Sequence, residues 1–182
     1  NEQKHKLKKE NNLPLNKIFL SASQFIERKN IFQLLRVFKG RNETLLLIGD
    51  GVQKEDYIKY IKENNMQNVI MRDFMKHSDL INLMTACDYF ITLSKEDIYG
   101  HTTNEAMARG LPVISSNKVI SSLHLIKNGY NGYLVDLNDE DIISAINSIN
   151  DSMADNALTV ARKNTIEEMA IAHKEIFKRV LK

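Results

Sequence analysis

The strongest constraint on this chain is an alternation: short, almost uninterrupted apolar runs are separated by stretches whose apolar residues recur at helical spacing. The runs fall at residues 17–21, 44–48, 68–71, 88–93, 111–115 and 132–135. A strand wetted on one face alternates apolar with polar, whereas a strand apolar throughout is buried on both faces, as in a parallel sheet covered by helices. Between the runs, Asn30 is placed to cap a helix whose Ile31, Leu34, Leu35 and Phe38 share one face. Further helices are predicted through Tyr57, Ile58 and Ile61, from a Ser78 cap through Leu80, Leu83 and Met84, near residues 104–109, and near 122–127. From Asp139 onward the pattern is helical only and closes through Ile166, Met169, Ile171, Ile176 and Val180. The pattern predicts an α/β fold: a Rossmann-like, doubly wound, parallel six-stranded sheet with C-terminal helices. The expected division is residues 1–16 as interdomain linker or solvated tail, 17–150 as the Rossmann-like domain and 151–182 as closing helices.

A chain of 182 residues suffices for one such core. Its formal net charge of +2 gives no electrostatic case for nucleic acid as a partner. Basic residues crowd only the opening, at Lys4, His5, Lys6, Lys8 and Lys9. Such a run reads as a solvated tail, with peripheral contact with an anionic membrane face as the alternative. Cys87 is the one cysteine, which excludes an intrachain disulfide, and its apolar setting predicts a buried, inert thiol. No apolar stretch is long enough to span a bilayer, and the opening has no apolar core of a signal peptide, so the expected location is cytoplasmic. The chain opens on Asn1 rather than Met, as a piece of something longer would.

In open parallel sheets, ligands bind beyond the carboxyl ends of the strands, so the informative residues follow each apolar run. After the first run, Gln24 and Lys29 precede a helix, where a cation and free backbone N–H groups can grip phosphate together. The plainer alternative is an exposed loop lysine. After the second run, Gly49-Asp50-Gly51 allows a tight turn and close approach of a ligand to backbone, without the third glycine of a dinucleotide fingerprint. The third loop is the densest, from Ser94 through Glu96, Asp97, Gly100, His101, Thr102, Thr103, Asn104 and Glu105. Amides after Gly100 can bind phosphate, and the carboxylates can accept bonds from sugar or ribose hydroxyls, with Glu105 about one turn inside a helix. Simple capping would need one small polar residue there, not a cluster. Residues 115–118 add a polar lining of no specific chemistry, and no group has metal-ligand spacing.

At this third loop the sequence resembles a known family. Residues 94–114, with Asn104-Glu105-Ala106-Met107-Ala108-Arg109-Gly110-Leu111-Pro112-Val113-Ile114, are similar to the signature of the retaining GT-B glycosyltransferases called glycosyl transferases group 1, or family 4. Lys29-Asn30-Ile31, Ile48-Gly49-Asp50-Gly51, the segment from Val69 to Phe74, and residues 126–135 follow in that family's order. The resemblance runs from about Lys17 to the end and implies the C-terminal, donor-binding half of a GT-B enzyme.

By that resemblance the chain binds a UDP-, GDP- or ADP-sugar, needs no metal or other cofactor, and transfers a sugar with retention. Its acceptor, a glycan or lipid-linked glycan, would be bound through a missing N-terminal half, without which the fragment is expected to be inactive. Lys29 resembles the phosphate-gripping lysine, Glu105 the second acid of the E-x7-E motif that holds the ribose hydroxyls, and Asp97 the first, which faces the sugar. Amides at Gly100, His101 and Thr102 would meet pyrophosphate or sugar, Arg72 and Asp73 would border the base, and Gly49, Gly51 and Thr103 complete the expected substrate-binding set. Three departures stand out. Gln24 replaces a phosphate-binding arginine, Asp97 is a methylene shorter than the usual glutamate with Glu96 beside it, and Asp73 replaces a glycine. Two alternatives share the pattern: a nucleotide-sugar epimerase of the same fold, and a non-enzymatic α/β nucleotide-binding module.

Overall fold

A computed structural model describes residues 2–180. Six parallel strands form one sheet: β1 (Ile18–Ala22), β2 (Thr44–Ile48), β3 (Val69–Arg72), β4 (Tyr89–Thr92), β5 (Val113–Ser116) and β6 (Gly132–Val135). Their order is β3-β2-β1-β4-β5-β6, so the chain winds outward from β1, returns, and winds out the other way from β4. Every apolar run became a strand. β5 starts later than its run because Pro112 has no N–H for the ladder; its carbonyl instead accepts from Phe90 at 3.0 Å.

Strand pleating splits the apolar residues between two cores. Phe19, Leu45, Leu47, Tyr89, Ile91 and Ile114 point to one face; Ile18, Leu20, Ala22, Leu46, Ile48, Phe90 and Val113 point to the other. On the first face lie α2 (Ile31–Phe38), α3 (Lys54–Glu63) and α7 (Asp139–Ser148), with Phe38 and Tyr89 packing their rings 5.3 and 4.8 Å from that of Phe19. On the second lie α4 (His77–Met84), α5 (His101–Ala108), α6 (Ile120–Leu125) and α8 (Ala154–Arg162). α9 (Ile166–Val180) ends the described chain, with Ile166, Met169, Ile176, Phe177 and Val180 all exposed. Cys87 is buried, and burial pushes its thiol up to about 12, as its apolar setting implied. No helix among the described residues is long and apolar enough to cross a membrane.

Two cap assignments fail. Asn30 precedes α2 in a left-handed conformation (φ 58°), and its side-chain amide donates to Gln33 Oε1 at 2.5 Å instead of accepting from the helix. Ser78 lies inside α4, which begins one residue earlier behind Lys76, and its hydroxyl faces Asp79.

The larger difference is at the opening. Residues expected as linker or solvated tail form α1 (Glu2–Glu10), which packs Leu7 against the second core. Lys8 is only 2% exposed and donates to Asp88 Oδ2 and to the Asn16 carbonyl, both at 2.6 Å. Asp88, just before β4, also accepts from the Ile18 amide at 2.9 Å and lies 3.4 Å from Lys4. The run read as solvated therefore supplies the counter-charge for a buried carboxylate. Removing one partner of a buried pair strands the other in low dielectric. Asp88→Ala is accordingly expected to cost about 3–5 kcal/mol, measured by urea unfolding, whereas Lys6→Ala on the exposed side of α1 should change little.

Candidate functional site

The strand order reverses between β1 and β4, so their following loops diverge and leave a crevice at the carboxyl end of the sheet. Backbone bonds set the crevice walls. The loop after β1 is fastened to the loop after β2: Ser23 donates to the Ile48 carbonyl, Phe25 to that of Asp50, and Gln53 to that of Phe25, at 2.8–3.0 Å. The same loop is tied to the one after β4 by Lys95 donating to the Arg28 carbonyl at 2.7 Å. The β4 loop is tied in turn to residues after β5, where Asp97 donates to Lys118, Ile120 to Asp97, and Ser121 to Tyr99, each at 3.2 Å.

Glycines make these fastenings possible. A Cβ on Gly49 would lie 1.9 Å from the Ser23 carbonyl oxygen, and one on Gly51 2.5 Å from that of Phe25. The close approach that the Gly49-Asp50-Gly51 motif predicted is thus made by the chain's own first loop. Gly51 does not line the crevice, though Gly49 does. Gly100, at φ 72°, opens α5, and a Cβ there would press on Val119 at 2.7 Å.

Between these loops lie two adjoining hollows of about 410 and 420 Å³. Shared walls are Ala22, Ser23, Gln24, Phe74, Met75, Leu80 and Thr102; the second hollow adds Arg28, Lys29, His77, Asp97, Gly100, His101 and Glu105. A larger cavity of about 630 Å³ lies at the amino end of the strands. Its charged walls, including Lys8, Lys17, Asp88 and Asp151, already pair with one another, and the loops that a doubly wound sheet uses for ligands are at the other end. The carboxyl-end crevice is the candidate site.

Lys29 ends a short 3-10 turn (Glu27–Lys29) ahead of α2. It reaches across the crevice to Asp97 Oδ2 at 2.5 Å, with the two side chains 13% and 20% exposed. Burial by itself would raise the Asp97 pKa. The hydrogen bond and charge of Lys29, with the Tyr99 amide and the charge of Arg28, outweigh it and hold the carboxyl below the usual range. Glu96 is exposed, and the contact it makes to the first loop is through its carbonyl, which accepts from Arg28 at 3.3 Å. Between the two neighbouring acids, the ion pair falls to Asp97.

Glu105 lies one turn inside α5, as its spacing required, and its Oε1 is 3.0 Å from His77 Nε2. The first-turn N–H groups of α5, at His101 and Thr102, have no partner within the helix and open beside the hollow. The cluster is not a set of caps: α5 has no side-chain cap.

Three sequence assignments are corrected. Thr103 is fully buried and bonded to Ser122 Oγ at 3.2 Å, so its side chain faces the core. Arg72 turns to the Asn11 carbonyl at 2.5 Å, and Asp73 is held by Lys54 at 2.6 Å; neither lines the hollows. The residues that do, past β3, are Phe74, Met75, His77 and Leu80. Phe74, 78% exposed directly after an apolar strand, is the one that sequence could have singled out; His77 meets a partner far along the chain and gives no local signal. Among the described residues no group of three or more His, Cys, Asp or Glu side chains is placed to hold a metal.

Comparisons with known proteins agree with this architecture. The pattern of the family described as Glycosyl transferases group 1 matches residues 3–168. An uncharacterized glycosyltransferase of Methanocaldococcus jannaschii is 22% identical over 165 residues, covering 87% of this chain and 47% of that protein. An Escherichia coli UDP-Gal:alpha-D-GlcNAc-diphosphoundecaprenol alpha-1,3-galactosyltransferase is 29% identical over 148 residues, covering 80% and 35%. The chain therefore spans less than half the length of these relatives. Among solved structures, Anabaena HepE in complex with UDP superposes with TM-score 0.81 at 22% identity, covering 95% of this chain and 52% of that one. The pneumococcal O-GlcNAc transferase GtfA, solved with UDP and GlcNAc, gives 0.76 at 18%, covering 91% and 37%. At such identities the structural likeness establishes the fold alone.

Two outcomes follow from the crevice geometry. Gly49→Ala should destabilise the protein by about 1–3 kcal/mol in thermal unfolding, because its methyl meets backbone that cannot step aside. Asp97 titrates below its unfolded value of about 3.9, so its pairing stabilises the fold above about pH 4 and is lost as pH falls through the folded value. Lys29→Ala should move the Asp97 carboxyl titration upward, followed by carbon NMR.

Proposed function

The chain belongs to the glycosyl transferases group 1 family, and on that premise we propose that it is the part of a glycosyltransferase that binds a nucleoside-diphosphate sugar for transfer, with retention, to an acceptor hydroxyl. The observation that carries this reading is the set of groups gathered at the switch point: a lysine, the open end of α5 and a carboxylate one turn inside it, around hollows of about 410 and 420 Å³.

Each group suits one part of such a donor. The Lys29 ammonium and the His101 and Thr102 amides match the diphosphate, whose leaving oxygen gains negative charge as the sugar departs. Lys29 exchanges its bond to Asp97 for one to phosphate, which frees the Asp97 carboxylate toward the sugar end. Glu105 accepts the two hydroxyls of the ribose, a diol being a natural double donor to a carboxylate. Phe74, Met75 and Leu80 give the base an apolar wall. Gln24 faces the hollow as a neutral amide, so the fixed positive charge available to the diphosphate comes from Lys29, with Arg28 beside it on the wall. No metal is required in this scheme, since Lys29 and the helix end offset the diphosphate charge.

The rest of the enzyme lies outside this chain, and the acceptor, a glycan or lipid-linked glycan, is assigned there. The names of the E. coli relative and of a capsular polysaccharide glycosyltransferase of Staphylococcus aureus support that class of acceptor. By itself the chain should bind donor and leave it unconverted.

Calorimetric titration with UDP, GDP, ADP and their sugar conjugates tests the reading. One base should bind selectively. Lys29→Ala should weaken it about tenfold or more, the worth of one charge-assisted bond of roughly 1.5–3 kcal/mol, and Glu105→Ala should erase the preference for ribose over deoxyribose. Silence across the panel, or equal binding of every nucleotide by the variants, would overturn it.

A further inference from the structure

Within the crevice Glu105 already has a partner. Its Oε1 stands 3.0 Å from His77 Nε2, a bond between the first residue of α4 and the middle of α5. The two ends differ in setting: the Glu105 side chain is 28% exposed within the hollow, whereas that of His77 is 70% exposed at its mouth. A carboxylate that receives a vicinal diol uses both oxygens, and the imidazole already stands in front of one of them. The imidazole and the diol therefore compete for the space in front of the carboxylate, and the imidazole can swing outward into solvent while Glu105 stays on its helix.

We propose that His77 guards the nucleoside subsite, closing on Glu105 when the crevice is empty and being displaced by the ribose diol of an incoming nucleoside diphosphate. This deepens the donor-site reading above and rests on it. The crevice would then be internally paired at both ends in the empty state, Lys29 with Asp97 and His77 with Glu105, and donor entry exchanges both pairs. The two exchanges differ in cost. The more sheltered Lys29–Asp97 pair is resisted by burial, while the exposed imidazole pair is weak and yields readily. His77 acts through Glu105 and is a positioning residue; it sets how selectively ribose is admitted, because only a diol repays the broken bond.

The test is a titration of wild type, His77→Ala and His77→Gln with the ribonucleoside diphosphate that the protein prefers and with its 2′,3′-dideoxy counterpart. His77→Ala should tighten the ribonucleotide roughly two- to fivefold, the scale of one exposed contact. The dideoxy compound should gain nothing, and a Glu105→Ala background should abolish the gain. His77→Gln, which keeps an amide donor within reach, should return toward wild type. In wild type, nucleotide addition should move the His77 ring nitrogen resonances toward those of free Glu105→Ala, showing release of the bond without reference to affinity. Unchanged or weaker ribonucleotide binding in His77→Ala, or an equal gain for the dideoxy compound, would overturn the guard role while leaving the donor site standing. Failure of any nucleoside diphosphate to bind wild type and variants alike would overturn both.

Discussion

The structure depends on a parallel strand that has no wet face. β1 lies in the middle of the sheet, hydrogen-bonded to β2 on one side and β4 on the other, and all five of its residues are buried. Water can satisfy neither its backbone nor its side chains, so helices must cover both faces and the chain must wind in both directions from it. That double winding produces the two cores, and it also produces the one place where neighbouring loops diverge. The crevice follows from burying β1; the loops then give it chemistry.

Rigidity in the crevice comes from main chain more than from side chains. Loops after β1, β2, β4 and β5 are bonded to one another through amides and carbonyls, with Gly49 and Gly51 allowing contact closer than any Cβ would permit. A site assembled in this way keeps Lys29, Asp97 and the α5 amides in register without a ligand. What remains adjustable is the pairing of the side chains. Lys29 with Asp97 and His77 with Glu105 pair across the crevice, and these are the contacts a charged, hydroxylated ligand would exchange for its own.

The opposite end of the sheet shows the same electrostatics put to structural use. Asp88 is held at the amino end of β4 by Lys8, Lys4 and the Ile18 amide, and this anchors α1 to the sheet. Lys17 and the Tyr89 hydroxyl converge on Asp151 in the same region, joining β1 and β4 to the segment ahead of α8. The cavity at that end is walled by charges that already pair with one another, Lys8 with Asp88 and Lys17 with Asp151. The two ends of one sheet thus differ in loop geometry rather than in charge content.

The sequence by itself determined the strand count, the parallel doubly wound fold and the loops that line the candidate site, because these follow from local periodicity and from which residue types tolerate burial. It also placed Lys29 before a helix and Glu105 one turn inside another, since spacing along a helix is local geometry. Tertiary structure decided everything that depends on partners distant in the chain. The basic opening segment became a packed helix because Asp88, some eighty residues away, needed a buried counter-charge. Thr103 turned inward to Ser122, Arg72 was drawn to Asn11, and His77 entered the site through Glu105. Local pattern says which face of an element is apolar and carries no record of what is brought opposite to it; only closing the chain brings those partners together.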